Sequence, residues 1–308
     1  MGRLIRGLAA EGNLRVLAVE STDIVEEARQ RHGLSETPTA ALGRALTGVI
    51  LLTYLLSKTP KERITLQFQG DGPVGGPVVE AAPDGLVRGY VKNPRAELPL
   101  RPDGKLDVGG VVGRGELKVA RALNSGDLYE SSIELVSGEI AEDLAHYLWQ
   151  SEQIPSALLL GVRVHGGGEV QVAGGVVIQV MPGCPDAVIS KLEANLAGRL
   201  SITDLLLSEG LEGTVQTLLE GLAYDPTDLS VVGFHEGHIP VRFGCRCTRE
   251  RATASLVYFS SQERENMIAE DGGAEVVCHW CGHKYQITPE EIRSLPLGEE
   301  ETRGIPKA

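Results

Sequence analysis

The spacing of apolar and polar positions predicts strands and helices in alternation over the first 182 residues. "LRVLAVE" (Leu14–Glu20) is a strand candidate, and "STDIVEEARQRHG" after it reads as a helix. "SETPTAALGRALTGVILLTYLLSK" predicts a second helix, with Thr37 as N-cap and Pro38 at the first helical position, where a missing N–H costs nothing. "ITLQFQ" (Ile64–Gln69) alternates with period two, as a half-buried strand does. Further strands are predicted over Leu117–Leu123, Ser131–Val136, Leu158–Val164 and Gly175–Val180, with an amphipathic helix in "EIAEDLAHYLWQSEQ". Gly-rich, hairpin-like joins point to an antiparallel or mixed sheet, so residues 1–182 are expected to form an α+β core domain.

The pattern changes at "GCPDAVISKLEANLAGRL". Asp186 is expected to cap a helix that carries Val188, Ile189, Leu192, Leu196 and Leu200 on one face. Short helices punctuated by Gly210 and Gly221 follow, so residues 183–230 read as a helical linker. Its apolar stripes must be covered by another part of the molecule. Residues 231–290 carry four of the five cysteines and are expected to form a small separate domain. Residues 291–308 are polar, rich in Pro and Gly, and expected to fray.

Charge narrows the function classes. A net charge of −13 over 308 residues opposes binding to nucleic acid and to anionic membranes. The cysteine segment is no exception: residues 241–308 hold 9 Lys and Arg against 11 Asp and Glu. "MGRLIRGLAAEG" lacks the apolar run of a signal peptide. The most apolar stretch, Ala45–Leu56, is shorter than the ~20 residues that span a bilayer and reads as a buried core helix. A cytoplasmic, reducing compartment is expected, where paired cysteines bind metal or act in redox chemistry more often than they staple a fold.

Two glycine-rich stretches imitate phosphate loops. "GDGPVGG" (Gly70–Gly76) satisfies G-x-G-x-x-G after a strand, but Pro73 and Pro77 remove amide donors and the following "VVEA" reads as strand. It is expected to be a turn, as is "HGGGE" (His165–Glu169). No nucleophile elbow, HExxH or paired-carboxylate motif is legible, so neither an enzyme nor a nucleotide-binding protein is expected.

The cysteines carry the chemistry. Cys245-x-Cys247 is followed, after 30 residues, by Cys278-x-x-Cys281. Two close pairs separated by a loop can bring four sulfurs to the corners of a tetrahedron, the geometry of a closed Zn²⁺ site. Arg246, Arg249 and Arg251 would favour thiolate there, or form a solvated face. His279 and His283 could substitute as ligands, although four thiolates already fill the tetrahedron. Cys184 stands apart and reads as structural or incidental.

A structural zinc contributes roughly 10–16 kcal/mol to the folding of a small module. A disulfide within either close pair would be worth roughly 1.5–2 kcal/mol by chain entropy, and a crossing bond from Cys247 to Cys278 roughly 3.7 kcal/mol. Local pairing would therefore replace a large stabilisation by a small one, and a C-x-C disulfide is strained and easily reduced.

"FGCRCTRERA" and "VVCHWCGHKY", with "RGLAAEGNLRVLAVEST", "LSETPTAALGRAL", "GDGPVGGPVVEA" and "VKNPRAELPL", resemble the 33 kDa chaperonin family of redox-regulated heat shock chaperones over nearly the whole chain. The resemblance implies an α+β core, a helical linker folded over it and a C-terminal zinc domain. It further implies an ATP-independent holdase, with one Zn²⁺ held by Cys245, Cys247, Cys278 and Cys281 in the reduced, inactive state. Oxidation would then form Cys245–Cys247 and Cys278–Cys281 disulfides, release zinc and unfold the C-terminal region. The oxidised protein would form a homodimer and bind unfolding client proteins.

Overall fold

In the computed structural model, the described residues are 2–197, 201–225 and 239–296. They belong to two compact units, residues 1–244 and 245–308.

The first unit runs β1 (Gly2–Ala9), β2 (Leu14–Glu20), α1 (Thr22–His32), α2 (Glu36–Leu56), β3 (Arg63–Gly70), β4 (Pro77–Ala81) and β5 (Leu86–Val91). It continues with α3 (Val108–Val112), β6 (Gly115–Ala122), β7 (Leu128–Glu134), α4 (Ala141–Gln150), β8 (Ser156–Val164) and β9 (Val170–Val180). It ends with α5 (Asp186–Leu196), α6 (Ile202–Leu218), β10 (Tyr224–Asp225) and β11 (Ile239–Phe243). Among the described residues these strands form one sheet in the order β7-β6-β3-β4-β5-β11-β1-β2-β9-β8, with β10 beside β1. Neighbours are antiparallel except β11 and β5, where Arg242 pairs with Leu86 and Phe243 with Val87 in parallel. The architecture is the expected α+β fold.

Helix α2 organises this unit. All its residues but Glu36 and Arg44 are buried, so the helix is apolar on every side rather than along one stripe. By length and composition it could cross a membrane, yet 94% of its most apolar window is buried inside the protein, as expected of a core helix. Small residues let its neighbours approach. A Cβ on Gly43 would lie 2.6 Å from Val25, and one on Gly48 2.4 Å from Leu144.

The N-terminus of α2 corrects the expected cap. Ser35, not Thr37, occupies the N-cap, and its side chain makes no capping bond. Thr37 and Pro38 lie inside the first turn, where proline is equally harmless because those N–H groups have no partner within the helix. The cap comes from 60 residues away: Glu97 accepts from the Thr37 hydroxyl at 2.6 Å and from its backbone N–H at 3.4 Å. A carboxylate there also complements the positive end of the helix dipole.

The glycine stretches are turns. In "GDGPVGG", Gly72 and Val74 donate their N–H groups to the carbonyls of Val112 and Val111, so these amides are already engaged. "HGGGE" closes the β8–β9 hairpin through His165 N–H on Glu169 O at 2.8 Å.

The helical segment lies on the sheet face opposite α2. Pro185 takes the N-cap of α5, and Asp186, expected to cap it, is its first residue and makes no side-chain cap bond. Leu192 of α5 and Leu205, Leu206, Leu211, Val215 and Leu218 of α6 are buried against Leu14, Val16, Ala18, Val176 and Ile178 of β2 and β9. Leu200, also expected on this stripe, falls outside the described residues. Gly210 breaks α6 into two helices (φ 68°, ψ −172°), as its position in the sequence suggested. Ion pairs fasten α6 near its start and just past its kink: Arg163 with Asp204, and Arg3 with Glu212 at 2.8 Å.

The second unit contains α7 (Arg249–Ala254), a 3₁₀ turn (Ser255–Tyr258), α8 (Ser261–Asp271), a hairpin of β12 (Ala274–Val277) and β13 (Lys284–Ile287), and α9 (Pro289–Arg293). The start of the expected polar tail is ordered: Ile292 is buried, and Thr288 caps α9 by accepting from Glu291 N–H. Residues 297–308 lie outside the described residues.

Glu97 supplies the test of this fold. Replacing it by alanine should lower stability by about 1 kcal/mol, the worth of a helix cap. Burial pushes its carboxyl pKa up, but bonds from Thr37, Ser35 and the backbone outweigh that and hold it below the ordinary value. Its contribution is thus complete above the unfolded carboxyl pKa and is lost as pH falls through the lower folded value. Calorimetry should show the wild-type and Glu97→Ala melting curves converging in acid; a gap that persists there would exclude the capping role.

Candidate metal centre

The cysteine unit has a small core. Among the described residues Leu256, Ile287 and Ile292 form its buried apolar cluster, with Ile268, Ala274, Val276, Tyr285 and Leu295 partly buried around it. Each fully buried side chain of this kind contributes about 1.5–3 kcal/mol. That is little to order such a segment.

Above this core the β12–β13 hairpin presents Cys278 and Cys281 on its connecting loop. Val277 pairs with Lys284, Cys278 N–H donates to His283 O at 2.9 Å, and Gly282 N–H folds back onto Cys278 O at 2.8 Å. Gly282 adopts φ 68°, the left-handed conformation that glycine takes without steric penalty. Cys245 and Cys247 come from the irregular segment before α7, whose first turn Thr248 caps by accepting from Arg251 N–H.

The four sulfurs meet. Each Sγ lies within 4.8 Å of the other three, with Cys245 to Cys278 at 3.8 Å and Cys247 to Cys281 at 3.5 Å. All four are free thiols, and Cys281 is 1% exposed. In a tetrahedron with metal–sulfur bonds of ~2.3 Å, the sulfurs are about 3.8 Å apart, so these two distances fit a shared ion. The four cysteines could therefore hold a metal.

Electrostatics agree with that fit. Burial pushes the Cys278 thiol up, and neighbouring Cys245 adds to the shift. Burial pushes the Cys281 thiol up strongly, with Cys247 and Cys278 adding to it. Crowded, half-desolvated thiols resist becoming four adjacent anions unless a cation joins them, and metal binding then releases their protons.

The other residues named from sequence have different placements. Arg249 forms a two-pronged pair with Glu291, with both contacts at 2.8 Å, and also donates to Gln286 O at 2.5 Å. The Arg249 guanidinium and the Thr288 N–H hold the Glu291 carboxyl at about 2. Arg251 donates to Arg246 O at 3.2 Å. His279 and His283 are not part of the cluster, and the His283 ring meets Tyr285 edge-on at 4.5 Å. Cys184 lies in the first unit, beside the apolar cluster under α5 and α6.

One contributor escaped the sequence reading. The Tyr285 hydroxyl donates to Cys247 Sγ at 3.2 Å. That bond, with help from burial, pushes the phenol up to about 12. The only signal for it was the tyrosine four residues after the last cysteine.

A family profile described as Hsp33 protein matches residues 2–288. A 33 kDa chaperonin of Thermus thermophilus is 65% identical over 295 residues, which cover 96% of this chain and 86% of that protein. That of Deinococcus radiodurans is 50% identical over 298 residues, 96% of this chain and 98% of that one. The crystal structure of the 33 kDa chaperonin (heat shock protein 33 homolog) of Thermotoga maritima superposes with a TM-score of 0.84 at 38% identity, covering 94% of this chain and 96% of that chain. With a profile spanning almost its full length and relatives this similar, the chain belongs to the Hsp33 family.

Proposed function

We propose that this chaperone-family protein is a redox-regulated, ATP-independent holdase, kept silent by one Zn²⁺ per chain and switched on by oxidation. The observation that carries the reading is the meeting of four free thiols in a unit with three buried aliphatic side chains at its centre. Four thiolates favour a soft, tetrahedral ion, and Zn²⁺ meets that description without redox chemistry of its own. Cys245, Cys247, Cys278 and Cys281 would hold it.

Oxidation of Cys245 with Cys247, and of Cys278 with Cys281, removes all four ligands. Each local disulfide offers far less stabilisation than the metal, so the unit loses order. Only Gly244 separates β11 from Cys245. Disorder that starts at the sulfurs can therefore propagate along the chain into the strand that bridges the two halves of the sheet.

The working surface in this reading is the apolar face under α5 and α6. Ala9, Leu14, Val16, Ala18, Val176 and Ile178 are all nearly inaccessible while the helices cover them. An exposed apolar patch of that kind binds unfolding clients, and it also favours self-association into a homodimer. The reading assigns residues 1–182 to the core, 183–230 to the releasable linker, 231–290 to the switch and 291–308 to the tail. It places the protein in the cytoplasm as a non-enzyme that binds neither nucleotide, nucleic acid nor membrane.

Reduced protein should bind one zinc per chain, and peroxide with mild heating should release it as aggregation of an unfolding client is suppressed. Atomic absorption and light scattering test this together; oxidised protein that keeps its zinc or protects nothing contradicts the switch. Replacing all four cysteines by serine should abolish zinc binding and the cooperative melting of the second unit.

A variant in α6 separates the client surface from the switch. Val215 is fully buried against the sheet, so Val215→Asp places an unpaired charge there, at a cost of several kcal/mol. Client protection is then expected without any oxidant. If circular dichroism shows the variant folded and its α6 detached, but reduced protein remains silent, the face beneath α6 is not where clients bind.

A further inference from the structure

The four sulfurs are not held alike. Cys278 and Cys281 accept backbone N–H groups of Trp280 and His283, which no side-chain replacement deletes. Cys247 accepts instead from a side chain, the Tyr285 hydroxyl at 3.2 Å. The Tyr285 ring is anchored independently of that bond, by packing on the small apolar cluster and by its edge contact with His283. The hydroxyl is therefore positioned on the sulfur by the fold, and it can be removed while the ring stays.

We propose that Tyr285 is a brake on oxidation: its hydroxyl, donated to Cys247 Sγ, draws on the electron pair with which that sulfur attacks a peroxide. This rests on the redox reading above and adds to it a residue that sets the rate. In the step concerned, the Cys247 sulfur pair attacks one peroxide oxygen and the O–O bond breaks. The departing oxygen takes up a proton and leaves as water, and Cys247 becomes a sulfenic acid. The Cys245 sulfur then displaces that oxygen, which leaves with a proton as a second water. Two thiols lose two electrons to one peroxide. A hydrogen bond to the attacking sulfur stabilises it before the attack more than during it, because the pair it engages is being transferred to oxygen. Hydrogen bonds to metal-bound or metal-ready ligands tune their reactivity in the same way.

The test uses the reduced, zinc-loaded full chain and its Tyr285→Phe variant, mixed with excess hydrogen peroxide. A colorimetric chelator follows zinc release, and dimedone trapping with peptide mass spectrometry reports sulfenic acid at Cys247. The variant is expected to release zinc about fivefold faster and to carry more label on Cys247, the scale of one ordinary hydrogen bond weakened during the attack. Alkylation of Cys247 by iodoacetamide should accelerate by a similar factor, a readout that needs neither peroxide nor chaperone activity. A tyrosine of merely structural importance would change melting without changing these rates.

Equal zinc-release, dimedone and alkylation rates in a variant that keeps its zinc overturn the proposal. Should Tyr285→Phe lose its metal before oxidant is added, 3-fluorotyrosine at position 285 takes its place. Its more acidic hydroxyl donates more strongly and should slow all three rates below wild type; unchanged rates there overturn the proposal equally. Wild-type protein that ignores peroxide would instead refute the redox switch, while the alkylation ratio still decides the role of Tyr285.

Discussion

Four sulfurs within 4.8 Å of one another are the constraint on which the cysteine unit depends. Two thiolates 4 Å apart repel by about 4 kcal/mol at an effective dielectric of 20, and a full set of four would contain six such pairs. The arrangement is tolerable with protons on the sulfurs or with a divalent cation among them. With a cation, the repulsion becomes attraction and the cluster can hold together a unit whose apolar core is slight. If a cation is what orders the unit, as proposed above, any chemistry that consumes the thiolates would remove that order.

The first unit is built on the opposite principle. Its centre is α2, buried on nearly every side, and nothing in that packing requires α5 or α6. Those helices are added to the far face of the sheet, held by a stripe of leucines and by ion pairs at the surface. Exposed pairs of this kind contribute about 0–1 kcal/mol each. The sheet could thus lose its helical cover and keep its core. Strands β2 and β9 make that loss consequential, because both of their faces are apolar: Leu17 and Val177 face α2 while Val16 and Ile178 face α6. A sheet whose outer face was meant for water would alternate with polar residues there.

Much of this was legible in the sequence because it is local. Periodicity located α1, α2, α4, β2, β3 and β6 to β9, and "LRVLAVE" and "GVVIQV" contain consecutive apolar residues where a sheet is covered on both sides. The cysteine spacing located the candidate centre. Contacts remote in sequence were not legible. Glu97 caps a helix that begins some 60 residues earlier, a partner that the local sequence around Thr37 does not reveal. The arginines of β1 interrupt its apolar pattern, so periodicity does not mark it as a strand, although Leu4 faces the core. β11, grouped by sequence with the cysteine segment, pairs with β1 and β5, and no short-range pattern encodes such partners. Tyr285 belongs to the same class, since a hydroxyl aimed at a sulfur 38 positions away is a property of the folded chain.

The arginines beside the cysteines show how the folded arrangement redistributes a charge argument. From sequence, Arg249 could have stabilised thiolate directly. In the structure its guanidinium grips Glu291 with two hydrogen bonds and holds that carboxyl well below the ordinary carboxylate range, so both partners are charged at neutral pH. Arg249 is thereby neutralised by a carboxylate and fastens α7 to α9, leaving the sulfurs to find their counter-charge elsewhere. The unit consequently combines ion pairs that balance their own charge, Arg249 with Glu291 among them, with a thiol cluster whose ionised form is balanced only by what it binds. In the redox reading proposed above, the chemistry falls on that cluster, where the Tyr285 hydroxyl already donates to one sulfur.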